Sequence, residues 1–299
     1  MYDIVIIGAG PAGISAAIYA VSRGKSTLLI EKEQVGGLIG KVSTVTHYSA
    51  LVEPETGETF AERLKSQALG AGVKIVDEEV LSVTLESDIK EIVTNKDYYQ
   101  SRTVILANGT TARTLGIPGE AEFKGKGIGM NAAKDGAAYA GKNVYVVGGA
   151  DGAIKEAIYL SKLAKKVTII HFEEKLGAIP EFLNKVKASP NMEVCLNSRL
   201  TRVSGKDCVD TLEITSEKTG EKRVIQDPGC GIFVYAGSTP NTEMYSELKL
   251  QDGFIPVNEK MQTALPGVYA AGDICVKQVR QVATAVADGA IAAINAAME

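Results

Sequence analysis

The sequence predicts an α/β chain of two strand–turn–helix–strand units, the second inserted into the domain that the first begins. Three observations carry this. An apolar run, Ile4-Val-Ile-Ile7, feeds Gly8, Gly10 and Gly13. The same arrangement recurs in residues 143 to 171, at a constant offset of 140 from residues 3 to 31. A further glycine-ended strand, Gly267 to Asp273, precedes an Ala-rich helix from Gln281 to Ala297 and brings the chain back to its first domain. The expected domains are 1–115 with 243–299, and 116–242.

In the first unit each glycine has a physical task. Gly8 permits a tight turn, Gly10 lets backbone approach a pyrophosphate, and Gly13 lets a helix from Pro11 to Arg23, with Ala12 in its first turn, pack on the strand. That helix N-terminus offers unpaired N–H groups and a positive dipole end to phosphate. Leu28-Leu-Ile-Glu31 closes a second strand on an acid, followed by Lys32, and Glu31 lies 18 residues beyond Gly13. A carboxylate at about 20 residues accepts hydrogen bonds from an adenosine ribose. Strand, glycines, helix, strand and acid in this order define a Rossmann-like dinucleotide-binding unit. Gly36-Gly37-Leu38 then forms a loop that lets backbone pass close to a ring system.

Glu58 to Gly70 reads as an amphipathic helix through Phe60, Leu64 and Ala68. Short strands are expected at 73–76, 80–84 and 91–94. Thr103 to Gly109 is a buried strand ending on Ala107, Asn108 and Gly109, and Gly116-Ile-Pro-Gly119 is a turn expected to link the domains. In the second copy Gly148, Gly149, Ala150, Asp151 and Gly152 form the turn of a second nucleotide site, and His171 replaces the acid. Ala153 is tolerated at a helix–strand contact, whereas the Ala150 methyl stands where a pyrophosphate would press. The first copy is therefore read as competent and the second as impaired. Lys155, Lys162 and Lys166 are expected on a solvated helix face. Gly272-Asp273 ends the last strand, where Asp273 serves either as a helix cap or as a partner for a cofactor hydroxyl, and the small residues of the final helix suit packing against a flat cofactor.

The composition, 45% hydrophobic and 23% charged, is that of a globular chain long enough for two cores. The net charge of −4 and the lack of a basic stripe interleaved with aromatics point away from nucleic acid. No apolar run approaches a membrane span. Met1-Tyr-Asp enters the first strand without a basic leader, so a cytoplasmic location is expected. Cys195, Cys208, Cys230 and Cys275 are scattered, and with only two histidines no metal is expected.

Gly8 to Gly13, Gly36-Gly37, Leu106-Ala-Asn-Gly109, Ile117-Pro-Gly-Glu120, Asp135-Gly136, the 143–171 unit, Gly237-Ser-Thr-Pro-Asn-Thr242, Ala271-Gly-Asp273 and Arg280-Gln281-Val282 together resemble the low-molecular-weight thioredoxin reductase family over essentially the whole chain. The resemblance implies FAD in the first domain and NAD(P) in the second. It places Asp273 at the phosphate–ribityl region and Arg280, Gln281 and Val282 beside the isoalloxazine. It also implies a homodimer.

The departures from the family shape the functional expectation. Its Cys-x-x-Cys is replaced by Asn131-Ala-Ala-Lys134 ahead of Asp135-Gly136, and thiol–disulfide exchange needs two sulfurs. Its His-Arg-Arg after the second strand is replaced by His171-Phe-Glu-Glu174, whose carboxylates repel a 2′-phosphate. NADPH is thus disfavoured by charge, and NADH less strongly by Ala150. Relatives with such features include ferredoxin-dependent flavoproteins. His47 stands where the family has Asn, and Asn108 where it has Thr. Either satisfies local backbone groups, or His47 donates a proton to the reduced ring. Lys134 is either a solvated lysine or a charge beside the flavin, and Cys275 a small packing residue first.

The leading expectation is an FAD oxidoreductase relaying electrons from a ferredoxin-like donor, or a second flavin, to an acceptor, without a redox-active disulfide. The alternatives are an NAD(P)H-dependent flavin, quinone or disulfide reductase, and a non-catalytic flavin-binding sensor or complex subunit.

Overall fold

Parallel strands that end on glycines, each leading into a helix or a loop, organise the chain. A computed structural model describes residues 1–52, 54–129 and 131–299. The chain divides into two units, Met1–Thr111 with Thr239–Glu299, and Ala112–Ser238.

In the first unit Lys74–Asp77, Thr27–Glu31, Tyr2–Ile7 and Tyr98–Leu106 lie side by side in parallel, and Val268–Ala270 joins through Val104–Leu106. Lys90–Thr94 and Val80–Thr84 extend this sheet in antiparallel fashion. Tyr98–Leu106 therefore serves two pairings. Its half-exposed start pairs with the hairpin strand, and its fully buried Thr103-Val-Ile-Leu106 sits among parallel neighbours. The strand order reverses between Tyr2–Ile7 and Tyr98–Leu106, so the crevice beyond their carboxyl ends is where a ligand of such a sheet binds.

The helix Pro11–Ser22 packs against the last helix, Val282–Ala296. Ser15 Oγ donates to the Val286 carbonyl at 2.7 Å, and a Cβ on Gly289 would overlap the Ala12 carbonyl oxygen. Ala12, Ala16, Ala285, Ala292 and Ala293 are buried in this core. The small residues Ala285, Gly289, Ala292 and Ala293 of the final helix thus serve a close helix–helix approach, because two backbones at this separation leave no room for larger side chains.

In the second unit Met192–Cys195, Lys166–Ile170, Asn143–Val147, Gly231–Val234 and Ile128–Gly129 form a parallel sheet in that order. Ser198–Gly205, Val209–Ser216 and Lys222–Gln226 add an antiparallel sheet. The chain enters this unit through Thr110–Ala112 and leaves through Ser238–Pro240, and these two segments pair with each other. The turn at Gly116–Gly119 is not the linker, because it is built into the second unit. The Pro118 carbonyl accepts from Val203 N–H at 3.1 Å, a Cβ on Gly119 would overlap the Val203 carbonyl oxygen, and the Glu120 carboxylate accepts from the Leu115 and Gly116 N–H groups.

The repeat is visible bond by bond. Gly8 N–H donates to Ile30 O at 2.8 Å and Gly148 N–H to Ile170 O at 3.0 Å. Ile14 donates to Gly10 at 3.0 Å and Ile154 to Ala150 at 3.1 Å. Lys155 departs from the solvated face expected of it. Its side chain is only 16% exposed beside the buried Glu156, and burial holds its ammonium pKa below the usual lysine range. Lys162 and Lys166 are exposed. Among the described residues no helix is long and apolar enough to cross a membrane.

Candidate functional site

The carboxyl end of the first strand is shaped by close backbone contacts. Gly8 has φ 99°, and a Cβ there would stand 2.6 Å from Ala107 O and from Asn108 Cα. A Cβ on Gly13 would overlap the Gly8 carbonyl oxygen, so the helix can approach the turn only with glycine at that position. Gly10 differs. Nothing lies within 4 Å of where its Cβ would point, so this face is open to a ligand.

Gly10 is the N-cap of the helix with no side-chain cap, and Pro11 opens it, leaving first-turn amides available to an anion. Gly36 N–H donates to Ala9 O at 2.8 Å, and a Cβ on Gly37 would lie 3.4 Å from Gly10 Cα, so the two glycine loops run backbone to backbone. Leu38, in the short helix Gly37–Lys41, is exposed. Glu31 is clamped: Oε2 accepts from Ala9 N–H at 2.7 Å and Oε1 from Glu33 N–H at 2.9 Å, which fixes the carboxylate with one lone pair on each oxygen left for ribose hydroxyls. Lys32 lies 3.8 Å from Glu79 on the surface.

Asn108 is committed to the protein. Its Nδ2 donates to Asn241 O at 2.8 Å, and its Oδ1 accepts from the buried Tyr245 hydroxyl at 2.7 Å. It is placed as a brace between the Ala107–Gly109 turn and the returning chain, and Asn241 and Tyr245 are partners that sequence reasoning did not assign. His47 is exposed with φ 59°, a left-handed conformation in which His and Asn are enriched. That geometry favours the local reading of this position.

Gly272, at φ 83°, turns the chain after Val268–Ala270, and a Cβ there would stand 2.9 Å from Ala12 Cβ. Asp273 follows it. Burial pushes its acid pKa above the ordinary value, opposed by Lys277 and Arg280 and reinforced by Asp288. Among the described residues no hydrogen bond or ion pair reaches its carboxylate. Asp273 is not a helix cap, since the final helix is capped at Gln281, whose N–H is held by Thr284 Oγ1 at 3.2 Å, and begins at Val282. Arg280 donates to the carbonyls of Asp273, Cys275 and Lys277 and stacks 4.2 Å from the Phe254 ring centroid, so it knits the loop together.

A half-buried carboxylate without a partner among the described residues, an open Gly10 face, an uncapped helix start and a clamped ribose-side acid fit the phosphates, ribityl chain and adenosine of FAD. Glu31 and Asp273 would hold hydroxyls, and the amides of the first helical turn would hold the pyrophosphate.

The second copy repeats the framework. Gly148 has φ 138°, a Cβ there would stand 2.5 Å from Tyr235 O, and Gly177 N–H donates to Gly149 O at 2.9 Å, as Gly36 does to Ala9. Ala150 is the exposed N-cap of the helix Asp151–Ser161, and a Cβ on Gly152 would meet nothing within 4 Å. Asp151 Oδ1 accepts from Ile179 N–H at 2.8 Å and pins the following loop. In place of a clamped acid, the buried His171 ring lies against Gly149, close enough that a Cβ there would be 2.6 Å from it. Its Nε2 lies 3.2 Å from Glu173 Oε2, and its buried Nδ1 has no partner among the described residues. Glu173 and Glu174 are exposed.

Also in the second unit, Asn131 caps the four-residue helix Ala132–Asp135. Its Oδ1 accepts from Lys134 N–H at 2.8 Å, and its N–H donates to Asp135 Oδ2 at 3.3 Å. Lys134 is exposed. All four cysteines are free thiols, and burial pushes those of Cys230 and Cys275 up to about 12.

A family model described as pyridine nucleotide-disulphide oxidoreductase matches residues 2–289. The thioredoxin reductase of Peptoclostridium acidaminophilum is 39% identical, over 99% of this chain and 96% of that protein. A solved thioredoxin reductase from Lactococcus lactis aligns with 99% of this chain and 98% of its own, at 33% identity and TM-score 0.95. A solved ferredoxin-flavin thioredoxin reductase from Clostridium acetobutylicum aligns with 99% of this chain and 97% of its own, at 29% identity and TM-score 0.54.

Proposed function

The chain belongs to the pyridine nucleotide-disulphide oxidoreductase family and is an FAD-dependent oxidoreductase of thioredoxin reductase type, and we propose that it relays electrons through FAD without a dithiol of its own. The observation that carries this is the pair Asn131 and Lys134. The sequence resemblance sets them where the family has its two cysteines, and the structure joins them as a helix cap, an arrangement that needs no sulfur and can perform no thiol exchange. The sequence has no Cys-x-x-Cys, and burial pushes the Cys275 thiol up to about 12, away from the thiolate that exchange needs. FAD supplies the step that remains, accepting electrons singly and releasing them singly or in pairs.

The donor in this reading is a small iron–sulfur protein of ferredoxin type, and the acceptor is a protein or small molecule reached from the flavin. Support comes from the likeness to the Clostridium acetobutylicum protein. It comes also from Glu173 and Glu174, exposed carboxylates that repel a nucleotide 2′-phosphate where the family carries arginines. The active form is a homodimer, as in the resembling family. Lys134, Asp135 and His47 are candidate rather than assigned catalytic groups, the first two being tied to the Asn131 cap.

The test is anaerobic mixing of the purified flavoprotein with reduced ferredoxin, NADH or NADPH while the flavin absorbance is followed. Fast bleaching by ferredoxin and slow bleaching by NADPH is the expected result, and fast bleaching by NADPH contradicts the proposal. A second reading, an NAD(P)H-dependent flavin, quinone or disulfide reductase, draws on the second turn at Gly148–Gly152 and on the buried Nδ1 of His171, partnerless among the described residues, which a nucleotide hydroxyl would satisfy. Steady dye reduction with NADH favours it. Release of the bound cofactors by denaturation, with flavin counted per chain, shows whether a second flavin occupies that unit.

A further inference from the structure

We propose that Asp288 and Lys277 are positioning residues for the cofactor of the first unit, holding the Gly272–Asp273 turn so that the Asp273 carboxylate faces a ligand hydroxyl. The inference rests on the reading of that unit as the FAD site. Asp288 lies in the final helix, and its Oδ2 accepts both from Gly272 N–H, at 3.0 Å, and from the Lys277 ammonium. Gly272 is the residue at which the chain leaves the buried strand. Its positive φ and its approach to Ala12 place it against the first turn of the N-terminal helix, where a pyrophosphate would lie.

The Lys277 and Asp288 side chains are each 13% exposed. A pair so shielded is held in place, and removing one partner leaves a buried charge uncompensated. Arg280 ties the carbonyls of Asp273, Cys275 and Lys277. The loop is therefore wired internally at each of these groups, while the Asp273 carboxylate is left to the ligand. Lys277 also has an electrostatic task. Lys277 and Arg280 both offset the charge of Asp273, which Asp288 opposes, so loss of Lys277 removes one of those two cations and leaves the Asp288 carboxylate without its ion-pair partner.

Deflavinated wild type, D288A, D288N, K277A and K277R are titrated with FAD by fluorescence quenching, and the melting temperature of each apoprotein and the visible circular dichroism of bound flavin are recorded. D288A and K277A are expected to weaken FAD binding by about tenfold or more and to alter the dichroism. K277R is expected to stay within about threefold of wild type, with D288N intermediate because its amide oxygen still accepts from Gly272. Wild-type affinity in both alanine variants overturns the proposal. So does a loss that K277R fails to rescue and that follows the apoprotein melting temperature across the set. A wild-type apoprotein that takes up no FAD overturns the FAD assignment instead.

Discussion

Asp273 shows how one side chain can serve binding while weakening the fold. Burial raises its acid pKa above the ordinary 3.8, so the folded apoprotein takes up a proton before the unfolded chain does. The penalty for the ionised group is fully present above the folded value and fades as pH falls through it towards 3.8. Apo D273N is thus expected to melt about 1–3 °C above wild type at neutral pH, with the gap closing in acid, while FAD affinity drops about tenfold. Melting curves across pH and an FAD titration check both, and a destabilised apo D273N contradicts the account. The cysteines give a second test at this scale. With Cys275 and Cys230 buried and their thiols pushed up to about 12, and Cys208 exposed, brief alkylation of native protein near pH 8 should mark Cys208 well before the other two by peptide mass. Early labelling of Cys275 would remove the ground for reading it as inert. Some residue-level facts were hidden in the sequence: that Arg280 binds three carbonyls, and that Asn108 is held by Asn241 and Tyr245, depend on loops that meet only after folding.

At the scale of elements, the glycines of the first turn separate ligand contact from packing. Gly10 faces open space and Gly13 lies under the Gly8 carbonyl. G10A is therefore expected to leave apoprotein stability within about 1 kcal/mol while weakening FAD binding about tenfold or more. G13A, and G289A at the Ala12 carbonyl, are expected to destabilise the apoprotein by about 1–3 kcal/mol. Chemical denaturation alongside FAD titration distinguishes the three, and a destabilised G10A or an unaffected G13A contradicts this division. The strand–glycine–helix order was legible in the sequence because Gly8 and Gly13 answer specific backbone contacts that the structure realises, and Gly148 repeats the turn of Gly8 at the same offset in the second unit. The use of the small residues in Val282–Ala296 was not. Ala and Gly are equally suited to a cofactor face and to a tight helix pair, and the pairing with Ala12 depends on a tertiary neighbour that the sequence does not name. Lys155 escaped for a similar reason, since a lysine on a helix is solvated by default and its burial is set by what packs over it.

For the molecule as a whole, the duplication explains why one chain carries two nucleotide-binding frameworks with different prospects. The first retains a clamped acid at Glu31 and an open Gly10, and the second has His171 against Gly149 and Ala150 at the cap. The insertion was legible from the glycine-ended strand Gly267 to Asp273 and the Ala-rich helix that follow the second unit, but its entry point was not. Gly116-Ile-Pro-Gly119 has linker chemistry, yet Val203 packs on it, and the chain crosses earlier through Thr110–Ala112. The central claim is that the flavin works with no sulfur pair to share its electrons. An anaerobic reductive titration of the purified flavoprotein with dithionite, counted against bound flavin, tests it most directly. The account predicts full bleaching with about two electrons per FAD, whereas uptake of about four, the sum of a flavin and a disulfide, would contradict it.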